Sequence, residues 1–159
     1  MKNVKSNQAT VELTAKEREI EQLQILLANY QLYYQNLRNF HWNVGGREFF
    51  ELHAKFEELY NDANDKVDEI AERILTLEGH PVGNFSDYVA ISSIQEANSN
   101  SSGTEMVQQI IDSHNILIEK VKDVIAEANK NEDEGTLDIL PAYISYFEKL
   151  NWMFKAYLR

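Results

Sequence analysis

The sequence predicts an all-α protein, a four-helix bundle with a short extra helix in the long connection between helices two and three. Three observations carry this. The 159 residues include only two Pro and six Gly, so little interrupts long helices. Apolar residues recur at the 3/4 spacing of a buried helical face in four long stretches. Hydrophobic content of 43% and charged content of 26% are globular values. The length suits one domain with a full core. Residues 1–13 are expected to form a polar tail and residues 14–159 the bundle.

Each element has its own signals. Thr14 followed by Glu17 is a capping box that opens the first helix. Its apolar face runs through Ile20, Leu23, Leu27, Tyr30, Tyr34 and Leu37 to His41, ending near Asn43. Trp42 is expected to pack at that end. Asn43-Val44-Gly45-Gly46 is a turn, short enough to reverse the chain into an αα-hairpin. Residues 47–77 contain neither Pro nor Gly and read as the second helix. Gly79 and Pro81 stop it, which places His80 in a loop. Residues 86–97 read as the short helix, capped by Ser86, and residues 98–103 as a polar loop. The third helix covers 104–130, with His114 as a hydrogen-bonded core histidine. After an acidic turn, the fourth covers 136–158, with Pro141 close to its start, where a missing N–H costs least. Ile144, Phe147, Leu150, Trp152, Phe154 and Tyr157 are expected to pack. One long crossover among short turns is the ferritin-like topology.

Composition narrows the functional classes. The chain holds no Cys, which removes disulfides and thiolate metal sites. No 18-residue apolar run offers a transmembrane span, and the first ten residues lack the apolar core of a secretory signal. These features point to a cytoplasmic protein. The net charge is −11. Such a surface repels nucleic-acid phosphates and attracts cations.

The chemistry gathers between His41 and Arg73. Imidazole nitrogens with carboxylate oxygens suit Fe, Zn or Mn. His53 and Glu57 are four apart, as are Asp68 and Glu72, so each pair shares a helix face one turn apart. The four positions span an arc of roughly 100°, beside the core arc of Phe49, Leu52, Phe56, Leu59, Ala63, Val67, Ile70 and Ile74. A single chain cannot close a site from them, because Glu57 and Asp68 lie about 16 Å apart along the axis and metal–ligand bonds measure about 2 Å. Both outer and inner pairs share one midpoint, between Asp62 and Ala63. A twofold axis there would lay two antiparallel copies so that His53 meets the other copy's Glu72, and Glu57 its Asp68. Such a contact makes two equivalent half-and-half sites, with His41 reaching in from the preceding helix. A lone helix-face carboxylate is ordinarily just solvated; the constellation and its symmetry raise the claim.

The block His41-Trp42-Asn43, then His53, Glu57, Asp68 and Glu72, with Ala71-Glu72-Arg73, resembles the Dps family, the DNA-binding proteins from starved cells, which are dodecameric mini-ferritins. The resemblance extends over nearly the whole chain, to Trp152-Met153. It implies a ferroxidase centre with His41, His53 and Glu57 from one subunit and Asp68 and Glu72 from its twofold mate. Glu57 is a departure, since many members carry Asp there. No Glu stands three residues before any of the four histidines, which argues against the Glu-x-x-His sites of ordinary ferritins.

The activity implied is oxidation of Fe(II) by hydrogen peroxide or oxygen, with ferric mineral stored in the shell of a homo-oligomer. The stripe Glu58, Asp62, Asp65 and Glu69 is then the candidate for mineral nucleation, and Glu132, Asp133, Glu134 and Asp138 for an acidic pore. Trp42 and Trp152 are either packing residues or quenchers of stray oxidising equivalents. The alternative is a nucleoid-compacting DNA binder. Against it, basic residues are scarce at both ends of the chain, with Lys2, Lys5, Lys155 and Arg159, so DNA binding is expected to be weak or absent.

Overall fold

The computed structural model describes residues 12–159, all in helices, turns and loops. Lys2 and Lys5, in the expected polar tail, lie outside the described residues. The helices are α1 (Ala15–Asn43), α2 (Phe49–Thr76), α3 (Phe85–Ile91), α4 (Gly103–Asn131), α5 (Glu134–Ile139) and α6 (Pro141–Tyr157). α1 packs against α2 and α4, α4 against α6, and α3 lies in the crossover against α1. This is the four-helix bundle with one short extra helix that the sequence predicts.

The periodic faces meet at one core. Leu23, Leu27 and Leu37 of α1 join Leu52, Phe56, Leu59, Ala63, Ile70 and Ile74 of α2. Met106, Leu117 and Val121 of α4 and Phe147 of α6 complete it, all buried. The Thr14–Glu17 capping box is formed, and Ser102 with Glu105 builds a second one that opens α4. At the end of α2 the left-handed residue is Glu78, φ 66°. Its N–H and that of Gly79 return to Leu75 and Ile74, a Schellman closure. Gly79 therefore serves closeness, because a Cβ there would stand 2.9 Å from Ile74 Cγ2 and 3.0 Å from Ile20 Cγ2.

Three expectations need correction. The fourth helix is divided at Leu140: the chain turns helical at Glu134, so Pro141 lies a full turn and more inside and starts a new helix, α6, instead. The crossover helix ends at Ile91, not near Ala97, and its cap position is Asn84. Asparagines of α1 hold the remainder in a bent, non-helical course. Asn29 Oδ1 accepts from Ser92 Oγ and from the N–H groups of Ser93 and Ile94 at 3.0–3.1 Å. Asn36 exchanges hydrogen bonds with Gln95 and Ala97. Finally, neither tryptophan is core: Trp42 is 58% and Trp152 66% exposed. Tyr157 is likewise exposed and donates to Glu48.

Candidate metal centre

His41 stands in the last turn of α1 and His53 in the first turns of α2, on either side of the hairpin bend. His41 is only 8% exposed. The two rings stack at 3.8 Å between centroids, 20° from parallel. Each Nδ1 lies 2.8 Å from the other residue's backbone oxygen. A carbonyl only accepts, so both Nδ1 atoms carry the hydrogen, and both Nε2 atoms keep a free lone pair when the rings are neutral. This is how a metal-binding histidine is oriented by its other nitrogen. Phe49 stacks on the far face of the pair, 4.9 Å from His53, and Tyr60 meets His41 edge-on at 5.3 Å. The sequence marks Phe49, four residues before His53, only as core, and Tyr60 carries no sequence signal beyond its place three residues after Glu57.

Glu57 is exposed beside this pair, with the Tyr60 hydroxyl donating to Oε1 at 3.5 Å. Asp68 and Glu72 are exposed farther along α2. None of these three carboxylates forms an ion pair among the described residues. Nor, among those residues, do three metal-ligating side chains of the single chain converge. The structure thus brings His41 and His53 together and leaves Asp68 and Glu72 apart from them. The donor set of imidazole nitrogen and ionised oxygen suits iron.

The acidic stripe is partly occupied. Lys55 pairs with Glu58 at 2.7 Å, Lys66 with Asp62, and the Tyr143 hydroxyl donates to Glu69. Asp65 is exposed. Burial pushes the Tyr143 and Tyr146 phenols up, reinforced by Glu69 beside the first and Asp62 beside the second.

Of the pore candidates, Glu132, Glu134 and Asp138 are exposed. Asp133 is turned inward. Arg73 Nη2 reaches both its oxygens at 2.5 and 2.7 Å, and it caps α5 through Gly135, Thr136 and the Thr136 hydroxyl. Burial raises this carboxyl, but Arg73 and Thr136 together outweigh it and hold it far below the usual range. Asp133 is thereby a structural anion. His80 lies in an exposed loop, as expected. Trp42 carries the Arg38 guanidinium over its ring at 4.9 Å. No helix among the described residues is long and apolar enough to cross a membrane.

This arrangement can be set beside known proteins. A ferritin-like domain model matches residues 20–159. A DNA protection during starvation protein of Bacillus anthracis is 40% identical over 139 residues, covering 87% of this chain and 95% of the relative. The chain belongs to the Dps family of ferritin-like proteins. General stress protein 20U of Bacillus subtilis is 41% identical over 132 residues, 83% of this chain and 91% of that one. Among solved structures, the Dps of Vibrio cholerae O1 superposes with a TM-score of 0.89 at 41% identity and full coverage of both chains. It is described as a member of a broad superfamily of ferritin-like diiron-carboxylate proteins. The Dps of Bacillus brevis gives 0.89 at 36% identity, covering 94% of this chain and all of that one.

Proposed function

We propose that this Dps-family chain oxidises Fe(II) at sites shared between two subunits, with hydrogen peroxide as the preferred oxidant, and stores the ferric product inside a hollow dodecamer. The observation that carries this reading is the locked His41–His53 stack, which leaves both Nε2 lone pairs without a partner among the described residues. The Glu57 carboxylate stands one turn further along α2. Asp68 and Glu72, at the mirror positions of the same helix, are the ligands that a twofold mate supplies. Iron is substrate here. Neutral imidazoles and ionised carboxylates bind Fe(II), electrons pass to the oxidant, and Fe(III) leaves for the acidic stripe, where Asp65 with Glu58, Asp62 and Glu69 seeds mineral. Glu132, Glu134 and Asp138 line the pore in this reading.

The test is to replace His41 and His53 together by Ala and mix Fe(II) with peroxide under anaerobic conditions. Loss of fast iron oxidation is expected; undiminished oxidation rejects the assignment. The B. anthracis relative's name speaks of protecting DNA, which favours a second reading, direct DNA binding. The net charge of −11 opposes it. A gel shift at low salt decides: unretarded DNA is the expected result.

A further inference from the structure

Away from that centre, the core holds a tyrosine and a histidine that iron binding does not use. Tyr33 and His114 are both buried, and the phenol oxygen lies 2.8 Å from Nε2. His114 Nδ1 lies 2.7 Å from Asn151 Oδ1, and Asn151 Nδ2 donates to Asn115 Oδ1 at 3.1 Å. The directions follow from the surface end inward. The Asn151 nitrogen is spent on Asn115, so its oxygen faces the ring and accepts from Nδ1–H. Nε2 then has a lone pair and accepts from the Tyr33 hydroxyl. Burial pulls the imidazole down to about 4, so it is neutral at physiological pH.

Tyr33 is also the inner end of an aromatic path. Its ring meets Tyr30 edge-on at 6.2 Å, and Tyr30 meets Tyr143 edge-on at 5.9 Å. Tyr143 lines a groove of about 460 Å³ with Asp65, Lys66, Glu69 and Tyr146, on the acidic stripe. A phenol that loses an electron becomes a far stronger acid, so the oxidised state rests where the proton has somewhere to go. Tyr143 has Glu69 and Tyr33 has His114. The buried Tyr30 hydroxyl has no partner among the described residues. Tyr30 can therefore pass an oxidising equivalent but not keep it.

We propose that Tyr33 and His114 form a buried redox couple that takes up one oxidising equivalent arriving from the acidic groove through Tyr143 and Tyr30. The oxidant is a hydroxyl radical, formed when iron and peroxide react out of step. One electron leaves Tyr33 and reduces the radical to hydroxide. The phenol proton moves to His114 Nε2, giving a neutral tyrosyl radical beside an imidazolium whose Nδ1–H still donates to Asn151. A later Fe(II) returns one electron, the proton goes back, and the iron leaves as Fe(III). The origin of the radical rests on the iron-oxidation reading above; the couple itself does not.

The experiment uses metal-free protein and azide radicals, a one-electron oxidant, followed by freezing and electron paramagnetic resonance. The wild type should show a persistent tyrosyl signal coupled to one exchangeable proton on the phenoxyl oxygen. Tyr33→Phe, checked for folding by circular dichroism, should lose most of that signal. An undiminished signal in the variant overturns the couple. Should the variant not fold, Tyr143→Phe decides: it should lower the yield of the signal without changing its line shape, and a changed line shape, which assigns the radical to Tyr143, or an unchanged yield overturns the proposal. Because no iron is present, failure here leaves the iron reading standing, and the reverse holds too.

Discussion

His41 and His53 hold each other in place: each ring's Nδ1–H donates to the other residue's carbonyl, across the bend between α1 and α2. Removing either ring takes away its partner's stacked neighbour but leaves the partner's own hydrogen bond, because the acceptor is a backbone carbonyl. His41→Ala and His53→Ala should each weaken metal binding by about 10–100-fold or more, because each deletes one imidazole donor and the stacked support of the other. The double variant should lose much less than the product of the two, as expected for residues acting as one unit. Titration of Co(II) into the four proteins measures this. Independent, multiplicative losses would show that the lock does not matter.

Arg73 and Asp133 tie α2 to the start of α5, largely shielded from water. Breaking a pair of this kind leaves an uncompensated charge, and Asp133→Asn should cost about 3 kcal/mol at neutral pH. The pH dependence has a definite sign. The folded carboxyl is depressed, so its contribution is present in full above the unfolded value of about 3.9 and is lost progressively as pH falls from there through the much lower folded value. Urea midpoints of wild type and variant should thus differ fully at neutral pH, begin to converge only below about pH 4 and go on converging as the pH falls further. Nearby Glu19 has the opposite bias: it is 1% exposed, and burial raises its carboxyl despite the hydrogen bond from Asn131.

Much of the bundle is legible in the sequence, because helical period and caps are local signals. The α2 core face and the Thr14 box emerge as expected for that reason. What is not legible depends on partners distant in the chain. Where the crossover helix stops is decided by Asn29, 63 residues before Ser92. Asp133 looks like a free acid until Arg73, 60 residues away, is seen against it. The candidate metal centre divides in the same way. Spacing shows that His53 and Glu57 share a face, but only the folded hairpin shows the histidines stacked. Trp152 was placed inside because large apolar residues usually are, yet its position on α6 faces outward.

His114 offers a second pH signature. Burial lowers the imidazole to about 4, against an unfolded value of about 6.5. Between those values the unfolded chain binds the extra proton and the folded chain does not. The contribution is complete above about pH 6.5 and falls toward pH 4, by on the order of 3 kcal/mol in total. His114→Gln, which can still donate to Asn151, should be less stable at pH 7 but show a shallower loss across that window. Denaturant unfolding at half-unit pH intervals checks it, and parallel curves for the two proteins would refute it.

Asn29 is fully buried in the middle of α1 and is the organiser of the crossover's second half. Its Oδ1 accepts three hydrogen bonds, two from the backbone N–H groups of Ser93 and Ile94, while Nδ2 donates to Ile25. Leucine would fill the space but leave the Ser93 N–H without its acceptor, while the Ile94 N–H keeps Ser92 Oγ at 3.0 Å; an unpaired donor shielded from water costs about 1–3 kcal/mol. Asn29→Leu should therefore lower stability by about 1–3 kcal/mol. Asn39 makes a single backbone contact to the same segment, to Ala97 at 3.0 Å. Asn39→Leu should cost about 1 kcal/mol. Hydrogen exchange separates local from global effects. Amides of Ser93 and Ile94 should lose protection in Asn29→Leu while those of α2 keep it. Uniform loss throughout the bundle would mean that Asn29 supports the whole core and not the crossover.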